Sequence, residues 1–169
     1  MMNASFMGPK VAVVAKLREP ERFPGYFRNM DPQELAQRVV ARMMERDAFS
    51  KWLGIEVLEV KPGSCVLRMA VREEMDNGFQ ITHGGIAYCL ADSALAFASN
   101  SHGSHAVSIE TSISHVRPVR SGDVITAKVE ELSRSNRIAV YHINVVDREG
   151  VTVALFKGTV FRTGKAWEL

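Results

Sequence analysis

The sequence predicts an α+β domain in which several antiparallel β-strands wrap one long buried helix. Residues 84–101 are apolar almost all round a helical wheel, which is typical of a helix that is buried on most sides. The C-terminal third consists of alternating runs rich in Val, Ile and Thr, which indicate strands. The links "SRSNR" and "REG" between these runs are short, and short links favour antiparallel neighbours.

The first thirty residues are predicted to form an N-terminal arm or extension, and residues 31–165 the folded domain. The stretch "REPERFPGYFRNM" holds two prolines, a glycine and clustered charges, which is typical of a linker. Translation could begin at Met30, or the residues before it could pack on the domain as an extension.

A helix is predicted to begin at Pro32. Asp31 can cap it, proline suits the first helical position, and Glu34 can complete a capping box. One apolar face then follows at helical spacing, made of Leu35, Val39 and Met43.

The pattern changes from helical to alternating after Gly54. The run "IEVLEVKPGSCVLRMAV" predicts two strands around a Pro-Gly turn, and residues 72–82 a polar loop. The long helix follows, with Gly103 as its stop. The remaining strands are predicted at "AVSIETSISHVRPV", "DVITAKVEEL", "RIAVYHINVVD" and "VTVALFKGTVFR".

Composition narrows the class of protein. The 169 residues are 46% apolar and 24% charged, as expected of a globular domain rather than a disordered chain. A net charge of +2 gives no reason to expect nucleic acid as a partner, and no apolar run approaches the ~20 residues of a membrane span. Cys65 and Cys89 show no metal or redox spacing, so we expect a cytoplasmic protein.

The start of the long helix, His83-Gly84-Gly85, could carry chemistry. The first N–H groups of a helix lack intrahelical partners, and glycine lets a ligand approach them closely. Gly84 or Gly85 could therefore supply an oxyanion hole. Alternatively, the glycines only permit a tight turn, and the residues alone give both interpretations similar weight.

Asp92 is the one acidic residue of this apolar helix. A carboxylate in a dry environment is more basic, which suits a general base or nucleophile, although a structural aspartate is an equal alternative. Asp92 follows Gly84 by eight residues, or roughly 12 Å of helix, too far for both to act on one bond. If both act, they come from different chains, which predicts an obligate dimer with two shared sites.

Several motifs together resemble a known family. The residues Asn77-Gly78, His83-Gly84-Gly85 and Leu90-Ala91-Asp92-Ser93-Ala94, followed by "SISHVRP", are similar to the hotdog-fold acyl-CoA thioesterases of the PaaI type, which are associated with phenylacetate degradation. The resemblance runs from about Asp31 to Gly164. It implies a hotdog fold, dimers that pair into tetramers, and hydrolysis of an acyl-CoA thioester without a metal or other cofactor.

The resemblance also implies residue roles. Asp92 matches the catalytic acid, Gly84 the oxyanion donor, and Asn77 an amide that places the thioester or the water. His83 matches the motif histidine, which we expect to brace the loop. Ser108 matches a position that holds a water-orienting hydroxyl in some relatives and alanine in others.

We expect the remaining substrate contacts at Gly85 and among the basic residues. Coenzyme A phosphates could meet Arg117, Arg137 or the other strand cations, Arg120, Lys128, Arg134 and Lys157. The other four histidines, His102, His105, His115 and His142, are interpreted as partly exposed side chains rather than metal ligands.

The predicted function is hydrolysis of acyl-CoA thioesters, with phenylacetyl-CoA or a ring-hydroxylated derivative as the implied substrate. Two alternatives are a hotdog hydratase or dehydratase, and an acyl-CoA sensor that binds without hydrolysis. The position of the acid within the apolar helix fits the hydrolases better than the hydratases.

Overall fold

The computed structural model describes residues 29–169. The predicted arm, residues 1–30, lies almost entirely outside this range. The helices are α1 Pro32–Arg46, α2 Ala48–Leu53 and α3 Gly84–Asn100. The strands are β1 Glu56–Lys61, β2 Ser64–Ala70, β3 Ser104–His115, β4 Val124–Arg134, β5 Ile138–Val146 and β6 Thr152–Ala166.

The six strands form one antiparallel sheet in the order β1-β2-β4-β5-β6-β3. The register pairs Val129 with Ile143 and Ile143 with Phe156, so these apolar residues share one sheet face. Strand β3 follows α3 in the chain and forms the edge beside β6. The predicted α+β architecture is confirmed.

Helix α3 supplies the centre of the core against this sheet face. Leu90, Leu95 and Phe97 are each 0% exposed. Gly158 on β6 faces the helix, and a Cβ atom there would overlap the Leu95 side chain. The close approach of helix and sheet therefore requires glycine at that position.

The N-terminal helical segment is two helices. Asp31 caps α1 by accepting a hydrogen bond from Glu34 N–H at 3.0 Å, as predicted. Asp47 then ends α1 and caps α2, because its carboxylate accepts from Ser50 N–H at 2.8 Å. Gly54 ends α2 in the left-handed conformation, with φ of 75°.

Helix α1 packs its predicted apolar face on the end of the sheet. Leu35 and Val39 form a small buried cluster, which is completed by Met30, Met43, Ala166 and Trp167. Strand β6 continues to Ala166, beyond the predicted end at Arg162, and brings the chain end to this cluster.

Two further features differ from the predictions. Strand β3 ends at His115 rather than at Val119, because Val116 and Arg117 N–H both donate to the Val153 carbonyl and the ladder stops. The polar loop contains a 3-10 turn at Glu73–Met75 and a bridge between Asp76 and Thr82. Within residues 29–169, no helix combines the length and the apolar character of a membrane span.

Candidate active site

The loop before α3 presents the Asn77 side chain in a fixed orientation. Asn77 N–H donates to Ile81 carbonyl at 2.8 Å, and the Asn77 side-chain oxygen accepts from Phe79 N–H at 2.8 Å. The second contact identifies the oxygen of the amide, so the Nδ2 group is the free end. Among the described residues this Nδ2 group has no acceptor, so it can donate to a ligand.

His83 is the N-cap of α3. Its N–H donates to Met75 carbonyl at 2.9 Å, and its Nδ1 accepts from Gly85 N–H at 3.0 Å. The ring therefore carries its proton on Nε2 when it is neutral. These contacts tie the loop to the start of the helix.

The two glycines at the start of α3 differ in whether their backbone N–H group is already hydrogen-bonded. Gly85 N–H is occupied by His83, whereas Gly84 N–H has no acceptor among residues 29–169. A Cβ atom at Gly85 would lie 2.9 Å from His83 Nδ1, and one at Gly84 would lie 3.0 Å from His115 Nε2. Packing against the two rings thus favours glycine at both positions, and Gly84 alone offers a donor.

A cavity of about 330 Å³ opens at this helix tip. Its polar lining comes from Asn77, Thr82, His83, Gly84, His115 and Arg117. Ile81, Ala87 and the buried ends of the neighbouring strands supply its apolar wall. Two larger cavities, of about 520 and 530 Å³, flank α1, and none of the predicted site residues lines them.

His115 is the residue at this tip that the sequence analysis missed. It was interpreted, like His102, His105 and His142, only as a partly exposed side chain, yet its ring lies against Gly84 and lines the cavity. Its side chain is exposed and has no hydrogen-bond partner in the described part of the chain. The signal that could have found it is its place immediately before the Val-Arg-Pro of the quoted motif.

Asp92 lies two turns further along α3 and is half-buried. Burial raises the pKa of its carboxyl group above the ordinary value. No hydrogen bond or ion pair to Asp92 occurs within residues 29–169, so the structural alternative, a carboxylate held by hydroxyls or loop N–H groups, has no support there. An unpaired, desolvated carboxylate is a stronger base than one in water.

Asp92 is not part of the helix-tip cavity of its own chain. Eight residues of helix, about 12 Å, separate it from Gly84. Within one chain, the donor and the acid therefore remain apart.

Ser108 lies on β3 alongside α3. Helix α3 and strand β3 run antiparallel, since His115 lies against Gly84 and Tyr88 OH lies 2.5 Å from Thr111 Oγ1. Further along, Ala106 N–H donates to Asn100 Oδ1 at 3.0 Å, so Ser108 lies between the levels of Tyr88 and Asn100. Ser108 pairs with Val160, a buried residue on the sheet face that packs on the helix.

The two arginines that were predicted to contact the substrate lie in different places. Arg117 lines the helix-tip cavity. Arg137 lies at the β4–β5 turn, with its guanidinium 5.8 Å from the Phe161 ring centre, and does not line the cavity.

One of the other histidines is not the partly exposed side chain that was predicted. His102 is 9% exposed, and its Nε2 lies 2.6 Å from Glu131 Oε2. Its burial was missed because Glu131 is distant in sequence. His105 is partly exposed, as predicted, and its ring stacks on Trp167 at 4.3 Å between ring centres.

Comparisons with known proteins place the chain in a family. The Thioesterase superfamily matches residues 79–154. Acyl-coenzyme A thioesterase PaaI of Escherichia coli (strain K12) is 40% identical over 122 residues, 72% of this chain and 87% of the relative. The structure of that E. coli protein, from the phenylacetic acid degradation operon, matches 80% of this chain and 99% of its own with a TM-score of 0.79 and 37% identity.

Two further solved structures are similar. A mutant of the phenylacetic acid degradation protein PaaI from Thermus thermophilus has a TM-score of 0.66 and 41% identity, over 69% of this chain and 99% of that one. A hypothetical thioesterase from Streptococcus pneumoniae, solved with coenzyme A, has a TM-score of 0.64 and 25% identity, over 67% of this chain and 91% of that one.

The six-stranded sheet on its central helix is the hotdog fold, and the chain belongs to the thioesterase superfamily. Within that family it is an enzyme of the PaaI type.

Proposed function

We propose that this protein hydrolyses acyl-CoA thioesters, with phenylacetyl-CoA or a ring-hydroxylated derivative as substrate, at two sites shared between the subunits of a homodimer. The observation that carries the proposal is a helix whose tip N–H, at Gly84, and half-buried carboxyl group, at Asp92, both lack a partner among the described residues. The acyl group is inferred from relatives whose names and titles refer to phenylacetic acid degradation.

Gly84 N–H would donate a hydrogen bond to the thioester carbonyl oxygen. Negative charge develops on that oxygen as the carbonyl carbon becomes tetrahedral, and the positive end of α3 stabilises it. One such donor typically lowers the barrier by ~3–4 kcal/mol. The free amide of Asn77, in the same cavity, would orient the thioester or the attacking water. His83 would hold the loop against the helix so that the donor keeps its direction.

Asp92 would supply the basic group from the neighbouring chain. As a general base, it takes a proton from water while the hydroxide oxygen bonds to the carbonyl carbon. As a nucleophile, its own oxygen forms that bond, and water then cleaves the resulting anhydride. In both routes the carbon–sulfur bond breaks, coenzyme A leaves as the thiolate, and the acyl group leaves as the carboxylate.

The exposed edge of β3 supports the dimer. Strand β3 has twelve residues and, within residues 29–169, one sheet neighbour, and its Val107 and Ile109 are 54% and 57% exposed. A long apolar edge strand is a template for pairing with another chain. Two copies of β3 can pair antiparallel about a two-fold axis near Ser112. In that arrangement, His115 of one chain lies opposite Ile109 of the other. Gly84 and the partner subunit's Asp92 would then meet.

The wider assembly and the location follow from the same proposal. We expect dimers to pair into tetramers, as the resemblance implies. Arg117 at the cavity, and Arg137 at a distance from it, are the candidate contacts for coenzyme A phosphates. Cys65 and Cys89 are both free thiols, which supports the reducing cytoplasm as the location.

A subunit-mixing experiment tests the shared site. Asp92→Asn and Gly84→Ala are each expected to abolish most thiol release from phenylacetyl-CoA. When the two variants are unfolded, mixed equally and refolded, half of the dimers are mixed, and each carries one intact donor facing one intact acid. Activity should return to about a quarter of the wild-type value.

Each result has a defined meaning. Recovery above the sum of the separate variants supports the shared site, and no recovery despite mixed dimers rejects it. Absence of thiol release by the wild-type protein from every acyl-CoA ester would reject hydrolysis. A change in enoyl absorbance without thiol release would indicate a hydratase instead.

A further inference from the structure

The short helix α2 exposes two large aromatic side chains. Its Ser50 and Leu53 are 0% exposed and face the core, whereas Phe49 and Trp52 are 51% and 57% exposed. The two exposed rings stack with their centres 6.0 Å apart at an angle of 21°. We call Phe49 and Trp52 the aromatic pair.

The aromatic pair stands on a firmly anchored segment. At the start of α2, Asp47 accepts hydrogen bonds from Ser50 N–H and Ser50 Oγ at 2.8 and 2.6 Å. At its end, the Arg72 guanidinium donates to the Leu53 and Trp52 carbonyls at 3.0 and 3.1 Å. The same guanidinium lies 5.4 Å from the centre of the Trp52 ring. A preorganised surface of this kind loses little conformational entropy when a ligand covers it.

Helix α2 touches α3 beside the candidate acid. Ser50 Oγ lies 3.0 Å from Ser93 Oγ, and Ser93 directly follows Asp92. Phe49 directly precedes Ser50, and Asp92 directly precedes Ser93. The contact therefore puts α2, which carries the aromatic pair, beside the part of α3 that carries Asp92.

We infer that the aromatic pair forms a wall of the acyl pocket and selects thioesters whose acyl group carries an aromatic ring. This inference rests on the proposed function, because the thioester carbon must come within about 3–3.5 Å of Asp92 or its water. The acyl substituent on that carbon then extends over the neighbouring surface. Aromatic rings bind one another in offset or edge-on arrangements at about 4.5–7 Å, which two anchored rings can provide.

A second protein chain is a poorer occupant for the aromatic pair. A stable interface buries about 800 Å² on each partner, far more than two side chains supply. The long apolar edge of β3, rather than α2, has the extent that an interface requires.

The test measures acyl selectivity in Phe49→Ala and Trp52→Ala. Thiol release is followed with phenylacetyl-CoA, with octanoyl-CoA, which has the same number of acyl carbons, and with acetyl-CoA. Each alanine variant should lose about 3- to 10-fold in kcat/KM for phenylacetyl-CoA and keep its value for acetyl-CoA. Phe49→Leu and Trp52→Leu keep an apolar surface without a ring. Their kcat/KM should stay at the wild-type value for octanoyl-CoA but should be lowered for phenylacetyl-CoA.

Leu132→Ala is the matched control. Leu132 is 54% exposed on β4, next to Glu131 at the opposite end of α3, so its truncation should leave all three substrates unchanged. The inference is overturned if the alanine variants keep the wild-type selectivity or if their kcat/KM falls equally for all three substrates. It is also overturned if size-exclusion chromatography shows that the variants no longer form the oligomer. Loss of turnover with all esters in the wild-type protein would instead count against the proposed hydrolysis.

A binding measurement separates the two ideas further. In Trp167→Phe, Trp52 is the remaining tryptophan, since the chain has two. Titration of Asp92→Asn/Trp167→Phe with phenylacetyl-CoA should change Trp52 fluorescence, and titration with acetyl-CoA should change it less. Equal responses to both ligands would overturn the inference without reference to turnover.

Discussion

Asp92 carries a cost in stability that its proposed role in hydrolysis would explain. A carboxyl group with no partner in the described part of the chain, on an otherwise apolar helix, is costly to ionise. The fold retains the group without compensating it. Sites that perform chemistry commonly accept such a cost.

Asp92→Asn is expected to stabilise the protein while it abolishes most activity. The folded-state pKa of Asp92 is raised, so the ionised carboxylate opposes folding at neutral pH, and the neutral amide removes that penalty. The free energy of unfolding at pH 7 should be higher than that of the wild-type protein in urea titrations. A less stable variant would show that Asp92 has a structural partner.

The pH profile of the wild-type enzyme tests the same residue. In the proposed mechanism the active form is the ionised carboxylate, so kcat/KM should fall with decreasing pH through a pKa above the ordinary aspartate value of about 3.9. Circular dichroism at each pH distinguishes this fall in kcat/KM from a loss of activity caused by unfolding. A limb at or below the ordinary value would argue against Asp92 as the base.

His83 is expected to act by position rather than by proton transfer. Its Nδ1 caps α3 through Gly85 N–H, a contact that asparagine can also make. His83→Ala should lose about 1 kcal/mol of stability, together with much of kcat. His83→Asn should recover both. Recovery of stability without recovery of kcat would show that the imidazole itself takes part in the reaction.

At the scale of elements, β3 and α3 act as one unit. Their antiparallel arrangement, anchored at Gly84–His115 and Tyr88–Thr111, sets which part of the helix faces which part of the edge strand. Any pairing of β3 with a second copy therefore also positions the partner subunit's helix. In the proposed dimer, the edge strand would decide the geometry of the shared site.

Ile109→Lys should break that pairing. Ile109 is 57% exposed in the single chain, so lysine should be tolerated there, whereas a charge on an edge strand opposes strand addition. Analytical ultracentrifugation should show a shift towards monomer, with loss of most thiol release and a native circular dichroism spectrum. Leu132→Lys, at a similarly exposed position on β4, is the control. An active monomer would contradict the shared site.

At the scale of the whole molecule, a buried polar cluster joins four segments at the end of α3 remote from the candidate site. Glu131 on β4 accepts from His102 at 2.6 Å, from Tyr141 OH at 2.9 Å and from Arg134 at 3.1 Å. Gly63 in the β1–β2 turn closes over it, since a Cβ atom there would lie 2.7 Å from Glu131 Oε2. Burial alone would raise the pKa of Glu131, but the hydrogen bonds and charges of its partners lower the pKa to about 2.

This cluster predicts the acid stability of the fold. The folded-state pKa of Glu131 lies below its unfolded value, so its contribution is complete above about pH 5 and is lost as the pH falls towards 2. The free energy of unfolding should decrease by about 2 kcal/mol over that interval. Glu131→Gln should be less stable at pH 7 and should lack this part of the pH dependence. An unchanged slope in the variant would assign acid unfolding to other carboxylates.

Much of the architecture could be predicted because its signals are local. The cap at Asp31, the left-handed Gly54 and the apolar surface of residues 84–101 depend on neighbours within a few residues. The division of the first helical segment at Asp47 was missed because an aspartate can end one helix and cap the next without a break in the pattern.

The sequence by itself determined the α+β class, the buried helix and the candidate residues at its tip and middle. Periodicity, capping and spacing are properties of the order of residues in the sequence, and they do not depend on tertiary contacts. Only the tertiary structure decided that Gly84 rather than Gly85 offers a free N–H, that His115 lies beside it, and that His102 is buried against Glu131. These outcomes depend on hydrogen bonds and packing between residues far apart in the chain, and no local pattern records which distant groups will meet.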